Sequence, residues 1–351
     1  MKITVSDLDL PLRHTFRISR SATDVARNVL LTLEHRDLVG LGEAAPSAYF
    51  GEDRDKVRRA FDSLGDFLAS DLVLDALHSA LRAPHSALDR ILDAVPPELR
   101  RVRAALAAFD MALHDLVGQM AGQPLWRLFG LQPSPTPATS FTIAIASVPE
   151  MQARVHDATR YPLLKIKVGT DRDLEILQGM RAVTYKRLRV DANAAWTVGE
   201  AIAKIRAMEP YDIEFIEQPI PAGDLAGLRR IRESVSMPVV VDEGVATAED
   251  VPALAGAVHG INIKLMKCGG IREARRMIGL ARSLGLKVML GCQVESSVAI
   301  TAAAHLAPLA DYADLDGNLL LAHDPYEGVT LDAAARLVLP VRPGLGVRPR
   351  Q

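Results

Sequence analysis

Charged residues stand at the ends of successive apolar runs in the second half of the chain, as in LLKIKVG, RLRVDAN, IEFIEQP, VVVDEG and INIKLMK. In chain order these residues are Lys165, Lys167, Asp191, Glu217, Asp242 and Lys264. Charges at the C-terminal tips of successive parallel strands point into one mouth. The pattern therefore predicts a cavity in which three carboxylates lie between lysines from two sides, which suits a hard divalent cation and proton transfer at carbon.

The three carboxylates are the predicted metal site. Asp191, Glu217 and Asp242 come from three consecutive strand ends, and three such oxygen ligands can occupy one face of an octahedron. Water and substrate can complete the other face, which suits Mg²⁺ better than zinc. The alternative is that they are ordinary acids capping the following helices. Their placement in phase with the repeat favours the Mg²⁺ site.

The lysines are the predicted proton-transfer groups. Lys165 and Lys167 are two residues apart on one strand, so their side chains share a face. Like charge and partial burial both lower a lysine pKa, and a lysine near neutrality can act as a general base. Lys264 lies on the sixth strand, roughly across the barrel from the second, whereas Lys267 is assigned to packing or support. The alternative is that the lysines only form salt bridges to the acids. That alternative does not explain why the lysines lie at strand ends, in phase with the repeat.

This set of residues matches one demanding reaction. A proton alpha to a carboxylate is very weakly acidic, and its removal leaves an enediolate with negative charge on the carboxyl oxygens. A metal ion and lysines near those oxygens stabilise the charge. With a base on each face, one lysine removes the proton and the other returns one to the opposite face, which inverts the stereocentre.

The elements that would position these residues alternate between strands and helices. Apolar strand-like runs recur near residues 140–145, 163–168, 187–191, 213–217, 238–242, 260–264, 287–291 and 312–316. Amphipathic helical stretches lie between most of them, which predicts a parallel sheet. About eight repeats favour a closed barrel over an open doubly wound sheet. The first run, FTIAIASVPE, lacks the glycine-rich phosphate turn of a Rossmann domain.

The first part of the chain has a different pattern. Strand-like runs cover residues 2–9, 27–34 and 39–43, and polar, glycine-containing loops are predicted near residues 17–24 and 45–53. Alanine and leucine then recur at helical spacing up to about Val117. This combination predicts a small α+β domain.

The boundary between the two parts falls in the segment QPSPTPAT at 132–139, which has the composition of a linker. We therefore expect an α+β capping domain over residues 1–130 and a barrel catalytic domain over residues 131–321. The tail, about 322–351, is expected to return to the capping domain as cover.

The composition indicates the cellular compartment and the classes of partner that the protein binds. The 351 residues carry a net charge of −2, and no basic stripe or acidic tail indicates nucleic-acid or membrane binding. Cys268 and Cys292 are too few for a disulfide framework, so a reducing compartment is expected. The N-terminus alternates like a strand rather than a signal peptide, and no run approaches the roughly 18 apolar residues of a membrane span. We expect a cytoplasmic protein.

Together the motifs resemble the enolase superfamily and, within it, the muconate-lactonizing subgroup. The segment ALAAFDMALHDLVGQMAGQPLWRLFG at 105–130 is similar to the helix that leads into the barrel of this superfamily, and LKIKVG, VDAN, IEQP, DEG and NIKLMKCGG are similar to its strand-end motifs. The resemblance covers essentially the whole chain. It implies an α/β fold, a modified TIM barrel of the (β/α)7β type with an α+β capping domain. The seventh-strand segment, VMLGCQVES, lacks the His of the mandelate-racemase branch.

The resemblance also implies a role for each charged residue. The implied Mg²⁺ ligands are Asp191, Glu217 and Asp242. Lys167 and Lys264 would be the two acid/base catalysts, and Lys165 would tune its neighbour and contact the substrate carboxylate.

One further motif discriminates within the subgroup. The eighth strand reads YADLDGN, in which Asp314 and Asp316 project to the same side. The motif resembles the paired acids that bind the free α-ammonium group in dipeptide epimerases. The implied reaction is Mg²⁺-dependent epimerisation at the C-terminal residue of a dipeptide, by proton transfer between two lysines through an enediolate. A solvated loop pair is the alternative for the two acids.

Two other functions remain open. An N-acylamino acid racemase or o-succinylbenzoate synthase of the same subgroup would turn over N-succinyl compounds with little dependence on Asp314 and Asp316. A non-catalytic metal- or ligand-binding barrel is the more remote alternative, and the intact lysine pair argues against it. Related proteins lead us to expect a homo-oligomer.

Side-chain preference is carried by loops and by the seventh strand. The resemblance implies that relatives acting on L-Ala-L-Glu bind the side-chain carboxylate with an arginine of the first capping loop, for which Arg17 and Arg20 are candidates here. Arg20 is displaced by about one position from the place that the resemblance implies, and a surface position is the favoured explanation for both arginines. Further candidates for the pocket wall are Gln293, Glu295, Thr142, Tyr49 and Phe50. A glutamate facing the pocket would favour cationic or polar side chains.

Overall fold

A computed structural model describes residues 1–350, and its first element is an antiparallel sheet of three strands. The strands are β1 (Lys2–Ile18), β2 (Ser21–His35) and β3 (Leu38–Ala44). The predicted loop near 17–24 is wrong, because β1 and β2 continue to a turn of only two residues, Ser19 and Arg20. Thr15, Phe16 and Ile18 are β-branched or aromatic, which favours continued pairing. The hairpin therefore extends as an arm toward the barrel.

Seven helices complete the capping part. They are α1 (Arg54–Phe61), α2 (Leu64–Ala69), α3 (Asp71–Ser79), α4 (Pro84–Asp93), α5 (Pro97–Arg101), α6 (Arg103–Met120) and α7 (Leu125–Leu128). The alanine-rich α6 is buried along most of its length against β3. Gly40 and Gly42 on β3 permit this contact, because a Cβ atom at either position would overlap the backbone oxygen of Ala112 or Ala108.

The second part is a barrel of eight parallel strands in sequential order. They are β4 (Phe141–Ile143), β5 (Leu163–Lys167), β6 (Arg187–Asp191), β7 (Ile213–Glu217), β8 (Val239–Val241), β9 (Gly260–Ile263), β10 (Lys287–Gly291) and β11 (Tyr312–Asp314). The first and last strands meet where Thr139 forms a bridge with Ala313 and the Ser140 N–H donates to the Ala313 carbonyl at 3.2 Å. The nearly closed barrel with its separate sheet domain confirms the predicted fold class.

Helices between the strands cover the barrel. They are α8 (Val148–Asp157), α9 (Asp173–Val183), α10 (Val198–Met208), α11 (Leu225–Ser234), α12 (Val251–Leu254), α13 (Leu265–Cys268), α14 (Ile271–Ser283) and α15 (Ser297–Ala304). Reciprocal capping boxes begin two of them, Ser147 with Glu150 at α8 and Thr197 with Glu200 at α10. Among residues 1–350, no helix combines the length and apolar character needed to cross a membrane.

The tail forms two small ladders and lies against the capping part. Its strands are β12 (Tyr326–Glu327), β13 (Thr330–Leu331), β14 (Leu337–Val338) and β15 (Arg348–Pro349). The Ala322 N–H donates to the Pro11 carbonyl at 2.8 Å, and the Leu345 N–H donates to the Asp115 carboxylate at 2.8 Å. These contacts support the proposed assignment of 322–351 to the capping domain.

Candidate active site

Strand register brings the charged residues to one end of the barrel. Lys167 on β5 pairs in register with Asp191 on β6, which pairs with Glu217 on β7. Asp242 directly follows β8, and Lys264 directly follows β9. Because β9 lies four strands from β5 in an eight-stranded ring, Lys264 faces the site from the opposite side to Lys167.

A cavity of about 840 Å³ opens between this end of the barrel and the capping hairpin. The predicted site residues that line it are Arg20, Thr142, Lys165, Lys167, Asp242, Lys264, Gln293, Asp314 and Asp316. Asp191 and Glu217 are fully buried beside it. Tyr49 and Phe50 form part of the wall from the capping side.

Lys165 is the centre of the charge network. Its Nζ lies 3.0 Å from an oxygen of Asp191, 2.7 Å from Glu217 and 2.7 Å from Asp314. Against the lowering effect of burial, these carboxylates hold the pKa of Lys165 well above its ordinary value. The sequence-based expectation of a lowered lysine pKa is therefore wrong for Lys165, because the surrounding carboxylates outweigh the effect of burial.

The other lysines each contact a carboxylate. Lys167 Nζ lies 2.7 Å from Asp191 and 3.2 Å from Asn193 Oδ1. Lys264 Nζ lies 2.7 Å from Asp242, and this carboxylate raises the pKa of Lys264 in spite of burial. Lys267 lies 2.6 Å from Asp242 and donates to the carbonyls of Asp242, Val245 and Asn262. Lys267 therefore holds the ends of β8 and β9 together, in keeping with its assignment to support.

The three carboxylates are electrostatically linked. Burial, and next the charge of Asp191, raise the pKa of Glu217 to about 7. Burial opposes ionisation of Asp191 and Asp242 as well, but the lysines beside each hold the pKa of both below its ordinary range. Buried carboxylates this close together require cationic partners, which the lysines supply here.

The chemistry of these residues fits a hard cation. Among the described residues, no group of three or more His, Cys, Asp or Glu is arranged to hold a metal ion, since lysine ammonium groups lie between the carboxylates. However, Glu217 Oε2 and Asp242 Oδ1 are buried and accept no hydrogen bond from residues 1–350, although each lies within 2.7 Å of a lysine nitrogen. Carboxylate oxygens are the protein ligands that Mg²⁺ prefers.

The two aspartates after β11 lie at the β4 side of the cavity. Asp314 accepts from Lys165 and, at 2.6 Å, from the Ser140 hydroxyl, and Asp316 accepts from the Thr142 backbone N–H at 2.6 Å. Burial and the neighbouring charge of Asp314 raise the pKa of Asp316 to about 7. Both acids are thus held in place by protein donors while their side chains line the cavity.

The segment after β10 contributes Gln293 to the wall, whereas the Glu295 carboxylate accepts from the Gln293 backbone N–H at 2.7 Å. Burial and the charge of Glu43 raise the pKa of Glu295 to about 8. Glu43, at the end of β3, accepts from the Ser296 hydroxyl at 2.5 Å and from Asn28 at 2.7 Å. This buried group joins the capping sheet to the loop that carries Gln293.

The hairpin arginines differ in position. Arg17 is exposed, and its carbonyl accepts from the Ile145 N–H at 3.0 Å, which fixes the hairpin to the barrel. Arg20 lies at the cavity and pairs with Glu243 at 2.5 Å. Sequence reasoning did not single out Glu243, Asn193 or Ser140. The first two stand within the quoted motifs DEG and VDAN, so the signal was present but unused.

The chain matches two family descriptions, the mandelate racemase / muconate lactonizing enzyme N-terminal domain over residues 1–130 and the enolase C-terminal domain-like family over residues 148–351. A relative from Bacteroides thetaiotaomicron named L-Ala-D/L-Glu epimerase is 37% identical over 349 residues, with 99% of this chain and 88% of the relative covered. The chain therefore belongs to the mandelate racemase / muconate lactonizing enzyme family of the enolase superfamily, which confirms the predicted resemblance.

Two solved structures are similar over nearly the whole chain. One is the dipeptide epimerase of Enterococcus faecalis complexed with Mg and L-Leu-L-Tyr, at 32% identity and a TM-score of 0.85, with 98% of each chain covered. The other is the N-succinyl Arg/Lys racemase of Bacillus cereus, at 26% identity and a TM-score of 0.88, with 100% of this chain and 96% of that chain covered. The protein is an enzyme of the isomerase class, and the non-catalytic alternative is set aside.

Proposed function

We propose that this protein is a Mg²⁺-dependent dipeptide epimerase that inverts the α-carbon of the C-terminal residue by proton transfer between two lysines. The observation that carries the proposal is the arrangement of one cavity. Lys167 and Lys264 face it from opposite sides of the barrel, and the acid pair Asp314 and Asp316 lies at its β4 side. The dipeptide epimerases among the relatives support the same function.

The metal would be held by the three strand-end carboxylates of Asp191, Glu217 and Asp242. A Mg²⁺ ion there supplies Lewis-acid stabilisation of charge that develops on a substrate carboxylate. The burial of these three carboxylates at one end of the barrel supports this assignment. The Mg present in the E. faecalis structure supports it as well.

The substrate would span the cavity between the lysines and the acid pair. Its free α-ammonium group would lie on Asp314 and Asp316, whose carboxylates form ion pairs with cations most readily when ionised. Lys165, already in contact with Asp314, Asp191 and Glu217, would add positive charge beside the reacting carboxylate. The α-carbon would then lie between Lys167 and Lys264.

Proton transfer would proceed in two steps. One lysine, as the free amine, accepts the α-proton; the Cα–H bond breaks and its electron pair passes into the enediolate. The other lysine, as the ammonium ion, donates a proton to the opposite face and forms the new Cα–H bond. The reverse reaction, or exchange with water, restores both lysines. Lys167 contacts one carboxylate and Lys165 contacts three, which supports Lys167 as the base of the pair.

A second candidate is an N-acylamino acid racemase or o-succinylbenzoate synthase of the same superfamily. One observation favours it, because Asp314 and Asp316 already have donors in Lys165, Ser140 and Thr142. The similarity to the N-succinyl Arg/Lys racemase also favours this second candidate. This candidate shares the lysine chemistry but needs no ammonium site.

Deuterium exchange distinguishes the two candidates. The purified enzyme with Mg²⁺ in D₂O is incubated with pooled L,L-dipeptides and, separately, with N-succinyl amino acids, and mass shifts of the substrates are read. Deuterium at the C-terminal residue of free dipeptides is the expected result. Exchange in N-succinyl amino acids but in no dipeptide would contradict the epimerase proposal and favour the second candidate.

A further inference from the structure

A second cavity, of about 580 Å³, opens where three parts of the chain meet. It lies between strand β1, the barrel segment from β4 to the end of α8, and the residues 318–324 that follow β11. Phe16, Thr142 and Leu320 line both this second cavity and the active-site cavity, so the two are neighbours. The volume is sufficient for a small organic molecule.

The lining of the second cavity is basic, with four arginines and two histidines against two aspartates. The charge of Asp324 is already satisfied, because this carboxylate accepts from the Ser297 hydroxyl at 2.6 Å and from the Tyr326 backbone N–H at 3.0 Å. Asp157 is exposed. The cavity therefore presents an excess of positive charge. The basic residues are Arg13, His14, Arg154, Arg160, His323 and Arg350.

Three of these arginines have no carboxylate partner within residues 1–350. Arg13 donates to the Leu321 carbonyl at 2.8 Å. Arg154 donates to the Ala144 carbonyl at 3.2 Å. Arg160 lines the same cavity and forms no hydrogen bond to the described part of the chain. Because a guanidinium carries five N–H donors and is always charged, each of the three keeps donors for a ligand.

Tyr161 supplies a second, independent observation. This residue is only 7% exposed, and its ring stacks on Phe141 with the centroids 4.4 Å apart. Tyr161 lines the second cavity, yet its hydroxyl has no hydrogen-bond partner among residues 1–350. The Arg160 guanidinium lies 4.9 Å from the centroid of the same ring. Since a buried tyrosine hydroxyl usually has a partner, this hydroxyl and the nearby guanidinium can serve one ligand together.

We propose that the second cavity is a binding site for a small organic anion with an apolar body. The carboxylate or phosphate group of that anion would accept from the Tyr161 hydroxyl and from the arginines, which pair strongly with both groups. Its apolar part would lie against Leu12, Leu319 and Phe141. The inference goes beyond the proposed dipeptide epimerase function and does not depend on it.

Three probes that share a benzene ring test the charge preference. Calorimetry on the full chain, loaded with Mg²⁺, measures the Kd of phenyl phosphate, phenylacetate and benzyl alcohol. At least one of the two anions is expected to bind about tenfold more tightly than the neutral alcohol, and the tighter anion identifies the preferred group. Equal affinity for all three probes, or binding of neither anion at millimolar concentration, would overturn the inference.

Variants then locate the bound anion. The double variant Arg154→Met/Arg160→Met should raise the Kd of the tighter anion by at least about tenfold, because it removes two charged donors. Arg230→Met, at an exposed arginine of α11 outside both cavities, is the matched control and should leave the Kd unchanged. An unchanged Kd in a folded double variant would overturn the inference. If the double variant does not fold, Tyr161→Phe replaces it, with an expected rise of about threefold and the same criterion.

A variant in the active-site cavity excludes binding there, where Mg²⁺ also attracts anions. Lys264→Ala should leave the Kd of the tighter anion unchanged, because Lys264 lines only the active-site cavity. A Kd raised by Lys264→Ala as much as by the double variant would assign the anion to the active site and overturn the inference. Failure of the epimerase proposal would appear in the deuterium-exchange assay and would leave these Kd values as they are.

Discussion

The barrel mouth and the tip of the capping hairpin build the same cavity in different ways. The mouth takes its charged residues from the ends of neighbouring strands, so register alone aligns Lys167, Asp191 and Glu217. The hairpin places Arg20 by a turn that crosses from one domain to the other and meets Glu243, 223 residues away in sequence. The mouth is thus built by local strand order, whereas the hairpin tip is held by a contact between residues far apart in the sequence.

The largest expected effect lies on the barrel side of this comparison. Lys167→Ala or Lys264→Ala should lower the rate of dipeptide epimerisation by about a thousandfold or more, because each variant loses one of two acid/base groups. Epimerisation is measured by chiral chromatography of the product. Lys287→Ala, at the opposite end of the barrel and half-exposed beside Asp311, is the matched control and should retain full activity.

Removing the metal should have the next largest effect. Dialysis against a chelator is expected to lower kcat/KM by at least about a hundredfold, since a bound ion contributes several kcal/mol of charge stabilisation. Adding Mg²⁺ should restore the activity. Full turnover in enzyme shown to be metal-free by elemental analysis would contradict the assignment of the carboxylates.

One contact between the capping sheet and the barrel can be broken at Glu43. Glu43→Ala leaves the Ser296 hydroxyl and the Asn28 amide without their acceptor, so the free energy of unfolding should fall by about 3 kcal/mol. Urea denaturation measures the change. Glu34→Ala, at an exposed pair with Lys2 on the same sheet, should stay within about 0.5 kcal/mol of wild type.

The stability that Asp115 contributes where the tail meets the capping domain should depend on pH. Burial raises the pKa of Asp115 to about 6 from an ordinary value of 3.8, so the native state binds more protons than the unfolded state between these values. The contribution of Asp115 to the free energy of unfolding is therefore full below pH 4 and is lost as the pH rises through 6, a change on the order of 3 kcal/mol.

The comparison variant is Asp115→Asn, which cannot titrate. The difference in unfolding free energy between wild type and variant should shift in favour of the variant as the pH rises from 4 to 6. A difference that stays constant over that interval would show that Asp115 does not titrate there.

The smallest expected effect concerns the ammonium site. Asp316→Asn should reduce kcat/KM for dipeptides by about tenfold, through loss of an ion pair, and leave turnover of N-succinyl amino acids nearly unchanged. The matched control is Asp311→Asn, at the other end of β11, where the acid binds Arg282 and Lys287. Equal losses on both substrate types would assign Asp316 to structure alone.

Much of the barrel follows from the sequence because its signals are local. The runs at 187–191 and 213–217 were predicted and observed with the same limits, since each apolar run ends in the carboxylate that enters the mouth. The residues around 17–24 were misread, because pairing between β1 and β2 decides their conformation and a single strand does not reveal it. The raised pKa of Lys165 was missed for the same reason, since its carboxylate neighbours come from three other strands.

Isomer-specific exchange in the two lysine variants tests the central claim most directly. Each variant, with Mg²⁺ in D₂O, is given the two epimers of one dipeptide separately, and deuterium at the C-terminal α-carbon is followed by mass spectrometry. The two-lysine account predicts that Lys167→Ala exchanges the α-proton of only one epimer and Lys264→Ala that of only the other, with no interconversion in either. Exchange of the same epimer by both variants, or epimerisation by either, would contradict it.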